Sequence, residues 1–448
     1  MWLIFLFMRV LTLDDAIELA LQNNKELLAE REKIHERRYE AIEARGNLLP
    51  QVKFDAGYVR LSAVPEMHFM VPIYTKMPIA IRDPVTGQII AITDSVPIFT
   101  GMEEQVVSMG KRDNYSIGIS ISQPIFTWGK LYRGYEIAKI GLEIERQLYA
   151  QKEAILKLQV KQTFFQALLA KEMVKVAQKA YEEREDYLRV VERQYANGEI
   201  PEINLLQARC ELLEARQQLM ATQNNYELVL NALKNIIGVP ITEEIDPKGE
   251  LHYDTTAITL DEALQLALKN RAEVKMLELS KEASTKALEI ARASNKPNLI
   301  LTGSYEYQRP YHYFEDKWGK TWNITVALSW PIFDGLKTYA QIRKAEHALR
   351  ATELSLNQVV DAIKLEVQQY YLKMRETEKQ LTVARENLKL AEQTYEMAQT
   401  QYKEGIISDT KYREIRLMVD KARLHYLQVL AEFNIAKAGL EKAIGEAL

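Results

Sequence analysis

The chain is written twice. Leu11-Thr12-Leu13-Asp14-Asp15-Ala16-Ile17-Glu18-Leu19-Ala20-Leu21 returns as Ile258-Thr259-Leu260-Asp261-Glu262-Ala263-Leu264-Gln265-Leu266-Ala267-Leu268. At the same offset of 247, Asn23, Pro50 and Tyr58 meet Asn270, Pro297 and Tyr305. Farther on the offset is 207: Pro124-Ile125-Phe126 meets Pro331-Ile332-Phe333, Tyr195 and Gly198 meet Tyr402 and Gly405, and Leu233, Ile237 and Gly238 meet Leu440, Ile444 and Gly445. The first copy therefore carries 40 extra residues between Tyr58 and Pro124. A period this long is no solenoid unit, so the chain is a duplicated half-molecule.

Both halves share one plan. The first repeat spans 11–238 and the second 259–448, joined by a linker at 239–258. Each opens with a helix that Thr12 or Thr259 caps, an acid following closely. That helix is expected to run to Pro50 or Pro297. Two strands follow, at 52–58 and 115–123 in the first repeat and at 299–307 and 322–330 in the second. Long helical hairpins are expected at 130–237 and 337–443. From Lys130 to Ala196 there is no proline, and glycine occurs only at 134 and 141. Such a helix would be roughly 100 Å long, more than a globular domain needs. Gly198 and Gly405 mark the reversals, where a residue must tolerate positive φ.

The strands decide the class. Their apolar faces carry Phe54 and Tyr58; Ile117, Ile119 and Ile121; Leu301 and Tyr305; and Ile324, Val326 and Leu328. Serine, threonine, glycine, asparagine, lysine and acids hold most of the alternate positions, and a period of two means a strand with one apolar face. Each segment is about ten residues, the length of a transmembrane β-strand. Tyr58, Tyr115, Tyr305, Tyr307, Trp322 and Trp330 lie near the ends, where an interfacial girdle belongs. The other reading of the same pattern is a soluble sheet packed on a helix. Four strands cannot close a membrane barrel, and an open edge in lipid leaves backbone groups unpaired. If the strands span, copies of the chain must share them.

The 61–114 segment holds five of the 13 prolines and is expected to be an extracellular loop, with a short hairpin at 79–92 around Pro84-Val85-Thr86-Gly87. Residues 1–10, apolar from Met1 to Met8 and then Arg9, read as a residual or truncated export signal, or else as a buried segment. Lys and Arg number 58 against 62 Asp and Glu, a balance too close to neutral for sequence-blind nucleic-acid binding. The single cysteine, Cys210, excludes an intrachain disulfide framework. The six histidines form no pair at helical spacing, so no metal site is expected, and no cofactor or nucleotide fingerprint or catalytic constellation is present. The chain is not expected to be an enzyme.

Taken in order and in duplicate, a set of short motifs resembles the TolC-like outer-membrane efflux proteins over residues 11 to 445. They are Leu13-Asp14-Asp15-Ala16 with Ala20-Leu21, Ala44-Arg45-Gly46-Asn47-Leu48-Leu49-Pro50-Gln51-Val52, Gln123-Pro124-Ile125-Phe126 with Gly129, Trp330-Pro331-Ile332-Phe333 with Gly335, and the turns Arg193–Gly198 and Gln401–Gly405. The resemblance implies a mainly α protein with membrane β-strands, a homotrimer whose protomers each give four strands to a twelve-stranded outer-membrane barrel. The long helices would form an α-barrel tunnel through the periplasm. It implies passive conduction, in efflux or type I secretion, with a periplasmic adaptor and an inner-membrane transporter as partners and outer-membrane lipid around the strands. The turns, with Tyr195, Gly198, Ile200, Tyr402, Gly405 and Ile407, would meet the adaptor. Gate candidates by position after the turns are Glu202, Asn204, Asp409, Lys411 and Glu414; Lys411 departs from the family's acidic pattern. The competing reading is a periplasmic helical-hairpin protein, structural or adaptor-like, without membrane strands.

Overall fold

The computed structural model describes residues 9–254, 258–312 and 315–446. In chain order the first repeat comprises β1 (Arg9–Leu11), α1 (Leu13–Asn23), α2 (Lys25–Gly46), β2 (Gln51–Arg60), β3 (Glu66–Arg82), β4 (Ile89–Ser108), β5 (Asp113–Phe126), α3 (Lys130–Ala196) and α4 (Glu202–Ile237). After β6 (Ile245–Pro247), the second comprises α5 (Leu260–Asn270), α6 (Ala272–Ala293), β7 (Asn298–Arg309), β8 (Gly319–Ser329), α7 (Lys337–Lys403) and α8 (Asp409–Ile444). Contacts divide the chain into a helical unit (1–42, 134–291 and 339–448) and a strand unit (43–133 and 292–338).

In the helical unit, α1 packs on α4 and α5 on α8. Thr12 and Thr259 each form a capping box with the acid three residues on, Asp15 and Glu262. The expected single opening helix is two helices. The chain turns extended at Asn24 and at Arg271, positions that carry neither glycine nor proline. Asn24 caps the second helix through Leu27 N–H at 3.1 Å and donates its side-chain amide to Ile236 O. The duplication reappears as equivalent core positions. Ala16, Ala20, Leu156, Val160, Leu233 and Ile237 are buried in one cluster, and Ala263, Ala267, Ile363, Val367, Leu440 and Ile444 in the other. Along α7, Val367, Met374 and Leu381 are buried seven apart, as are Thr377, Ala384, Ala391 and Ala398. A sustained seven-residue repeat of this kind supercoils packed helices left-handedly.

Residues 1–8 of the expected export segment lie outside the described residues. Its remaining two, Arg9 and Val10, belong to β1, which pairs in parallel with β6 inside the 239–258 linker.

In the strand unit, β2, β5, β7 and β8 form one antiparallel sheet in that order. The expected loop at 61–114 is mostly not loop. β3 and β4 form a separate two-stranded ribbon, with its turn at 83–88 held by Asp83, whose Oδ1 accepts from Val85 N and Thr86 N at 2.7 and 3.0 Å. Prolines 72, 78 and 97 lie within it and disguise the strand pattern, because proline argues against a central strand yet is tolerated on an outward edge.

Candidate functional site

Register sets what the sheet can do. Phe54 lies opposite Ile119, and Ile119 opposite Tyr305. Val52 pairs with Ile121, Leu301 with Val326, and Tyr305 with Trp322. The four apolar faces thus merge into one, and most of these side chains are more than 40 % exposed. Lys53, Ser120, Ser304 and Asn323 meet across the opposite face, with Asn323 donating to Ser304 Oγ at 2.8 Å. One end of the sheet carries an aromatic chain: Tyr58 and Tyr115 at 5.0 Å, then Trp318 at 6.1 Å from Tyr115 and 4.9 Å from Tyr307. Near the other end, Phe126 and Trp128 are 5.1 Å apart, and Trp330 donates to Asn295 O at 3.1 Å. Trp318 and Trp128 were not among the expected girdle residues because both fall outside the alternating runs. β2 and β8 each pair on one side only, which leaves two open sheet edges.

In the helical unit, the two helix reversals are built alike. Gly198 and Gly405 have φ of 76° and 73°. Gly198 N–H donates to Tyr195 O and Glu199 N–H to Gln194 O, each at 2.9 Å. Gly405 N–H donates to Tyr402 O and Ile406 N–H to Gln401 O at 3.1 and 2.8 Å, satisfying the last helix carbonyls. Tyr195 is exposed. Ile200 packs on Val191, Leu205 and Ala208, and Ile407 is half-buried, whereas Ile203 and Ile406 stand out into solvent.

Of the gate candidates, Asp409 is the one the fold engages most. It accepts from the Tyr187 hydroxyl at 2.7 Å and the Tyr402 hydroxyl at 3.2 Å, and it pairs with Arg413 at 2.8 Å. Lys411 and Glu414 pair with each other at 2.9 Å on the surface. Glu202 is exposed and Asn204 half-buried, and no hydrogen bond or salt bridge joins either to the other three. The contacts around Asp409 continue across the repeats. Glu211 of α4 receives Arg413 at 2.7 Å and Arg416 at 3.1 Å from α8, and Arg184 of α3 meets Asp420 of α8 at 3.1 Å. Tyr412 stacks on Tyr402 at 4.6 Å, and the Arg416 guanidinium sits 5.4 Å from the Tyr187 ring centre. A cleft of about 870 Å³ opens among α3, α4 and α8 beside this network. Burial, then the hydrogen bond to Asp409, push the Tyr187 phenol up; burial and the Asp409 charge take Tyr402 to about 12. Both therefore stay neutral donors at ordinary pH.

Sequence spacing did not point to Tyr187, Glu211, Arg413, Arg416 or Arg184, whose partners are on other helices. A second feature lies on the outer faces of the long helices. Leu206, Leu213 and Met220 recur seven apart on α4, as do Val383, Leu390 and Met397 on α7, and all six are exposed. An apolar heptad seam without a partner is a helix-packing surface.

A family profile described as "Outer membrane efflux protein" matches residues 16–239 and 263–446. The chain is 22 % identical over 360 residues to the pyoverdine export outer membrane protein OpmQ of Pseudomonas aeruginosa, covering 74 % of this chain and 70 % of that protein. It is 21 % identical over 264 residues to the alkaline protease secretion protein AprF of the same organism, covering 58 % of this chain and 54 % of AprF. The fold is similar to the CmeC outer membrane channel of Campylobacter jejuni, with TM-score 0.76 and 20 % identity over 97 % of this chain and 85 % of that one. It is similar also to CusC, with TM-score 0.74 and 16 % identity over 97 % and 92 %.

Proposed function

The chain belongs to the outer membrane efflux protein family, and from that premise we propose that it is one protomer of a trimeric duct. Three copies would join β8 of one to β2 of the next and close a twelve-stranded barrel in the outer membrane. The long helices would line a tunnel in the periplasm, and the helix reversals would meet a periplasmic adaptor and an inner-membrane transporter. Conduction would be passive, with energy supplied by the partner pump. Efflux of small compounds and secretion of polypeptides both fit this arrangement, as the export and secretion names of its relatives suggest.

The observation that carries the reading is the sheet with one unbroken apolar face and two open edges. In lipid each unpaired edge group costs several kcal/mol, so only closure with other copies makes the face tolerable. The exposed seams on α4 and α7 supply a second interface for the same assembly. A periplasmic protein without membrane strands would leave that whole face in water.

The contacts among Tyr187, Asp409, Glu211, Arg413 and Arg416 tie one helical hairpin to the other beside their reversals. We assign them to holding the duct closed. Partner engagement would then have to break them.

Ile119→Arg tests the membrane reading against Ser120→Arg, its neighbour on the opposite face. The first should cost ~2–4 kcal/mol if it meets mid-bilayer lipid and should abolish outer-membrane assembly. The second should leave trimers in the membrane. Equal assembly of the two variants, measured by membrane fractionation and gel mobility of unheated samples, contradicts the proposal.

A further inference from the structure

The four-stranded sheet repeats its own pairing. Residues of β2 recur in β7 at the offset of 247, and residues of β5 recur in β8 at 207. β2 meets β5 with Gln51 opposite Ser122, Val52 opposite Ile121 and Tyr58 opposite Tyr115. β7 meets β8 with Asn298 opposite Ser329, Leu299 opposite Leu328 and Tyr305 opposite Trp322. These are counterpart residues throughout, without a slip over the ten pairs that β2 makes. The duplication has kept register to the single residue.

A third join stands between the two hairpins. β5 meets β7 with Ile117 opposite Tyr307, Ile119 opposite Tyr305 and Ile121 opposite Gly303. The counterpart of β5 is β8 and that of β7 is β2, the two strands whose outer edges are open. Exposure marks the missing neighbour. On β5, paired on both sides, Ile117, Ile119 and Ile121 are 43–47 % exposed, whereas Ile324, Val326 and Leu328 on β8 are 65–68 % exposed. Val52 and Phe54 on β2 stand out equally far.

We propose that β8 joins β2 of the next copy in the register that β5 keeps with β7, so that the contact between chains repeats the contact between repeats. This rests on the trimeric reading above. Ile324, Val326, Leu328 and Trp330 then face Arg60, Tyr58, Ala56 and Phe54 of the next copy. Val326 on Tyr58 and Leu328 on Ala56 reproduce Ile119 on Tyr305 and Ile121 on Gly303, an aliphatic side chain first on an aromatic and then on a small residue. A slip of one residue would turn the apolar side chains of one strand to the lumen, which the pleat excludes. A slip of two keeps the faces but puts Val326 on Ala56 or on Arg60. The same offsets give a matching contact in the helical unit. Gln151 of α3 donates to Glu273 of α6 at 3.2 Å. Their counterparts, Gln358 of α7 and Glu26 of α2, are the same residue types, and both are exposed.

This register fixes the bore. Followed across the sheet, Val52 leads to Ile121, Gly303 and Ile324, and then to Arg60 of the next copy, an advance of eight residues per protomer. Stagger and strand tilt together set the diameter of a barrel. Three such advances around twelve strands ~4.8 Å apart give a backbone diameter of about 32 Å, against about 27 or about 37 Å for the two-residue slips.

The test uses the full chain in a Cys210→Ser background, since Cys210 is a free exposed thiol. Tyr58→Cys with Val326→Cys probes the outer face of the join, and Asp55→Cys with Ser329→Cys the lumen face. Ala56→Cys with Val326→Cys and Gly57→Cys with Ser329→Cys report the two slips. Opposed residues lie ~4.5–5.5 Å apart at Cα, within reach of a disulfide, whereas a two-residue displacement puts them about 8 Å apart. Oxidation of outer membranes with copper phenanthroline should therefore link copies at least about tenfold more from the first two pairs than from the slip pairs. Light scattering in detergent establishes the trimer for each variant, and the two faces supply separate pairs should one substitution prevent assembly. A trimer linked through a slip pair, or through none of the four pairs, overturns the register and leaves the duct reading standing. A wild-type chain that stays monomeric overturns the duct reading, and this proposal with it.

Discussion

Tyr187 and Asp409 show how a contact between distant helices hides from sequence. They stand 222 residues apart on different repeats, and their 2.7 Å bond exists only once α3 and α8 are side by side. Position after the second reversal picked out Asp409; nothing in the local pattern around Tyr187 separates it from other helix tyrosines. A hydrogen bond to a charged acceptor contributes about 1.5 kcal/mol or more, so Tyr187→Phe should raise the open population of the isolated duct about tenfold. Single-channel recordings in planar bilayers would register this, and unchanged gating would remove the hydroxyl from the closing contacts. Alkali should act on the neighbouring bond, from the Tyr402 hydroxyl to the same carboxylate. Because the folded protein holds Tyr402 at about 12, above the ordinary phenol value of 10.0, its contribution is complete below pH 10 and disappears as pH rises through 12. Conductance of the wild-type duct should therefore be flat from neutral pH to about 10 and rise beyond it, with a smaller rise in Tyr402→Phe.

Elements were legible wherever a period or a punctuating residue wrote them. Alternation gave the four sheet strands, absence of proline gave α3, and glycine gave both reversals. The split at Asn24 carried no such mark, because a side-chain cap bends the chain there instead of a breaker. The ribbon was read largely as loop because its prolines are the usual sign of one. Gly238 and Gly198 separate two reasons for a glycine. Both have positive φ, but a Cβ at Gly238 would stand 2.7 Å from Asn23 O, while at Gly198 it would meet nothing within 4 Å. Gly198→Ala should therefore cost ~1–2 kcal/mol of backbone strain. Gly238→Ala should cost ~1–3 kcal/mol more, from crowding against the backbone of α1. Thermal denaturation followed by circular dichroism would rank them, and equal losses would argue against the close approach as the reason for Gly238.

At the scale of the whole molecule, the proposed assembly rests on surfaces that the single chain leaves uncovered. Its sheet has two free edges, and the seams on α4 and α7 lie uncovered. The sequence announced the first deficit through strands too few to close. The second could have been read from the seven-residue spacing of Leu206, Leu213 and Met220, but composition alone does not say which side of a helix is covered. Leu213→Asp sits on an exposed position, so the helical content of the protomer should survive. The trimer should not: burying that carboxylate in the proposed seam should weaken assembly at least about tenfold. Light scattering in detergent checks this, and a wild-type mass would show that the seam faces solvent. The short parallel pairing of β1 with β6 adds a constraint on biogenesis. It joins Arg9 to Ile245 in the linker, so the first repeat is clasped shut only after all of it has been synthesised. A contact of such long sequence separation forms late and slowly. A nascent chain halted before the linker would therefore hold assembled helices with an open waist, the state in which a holding chaperone has most to grip.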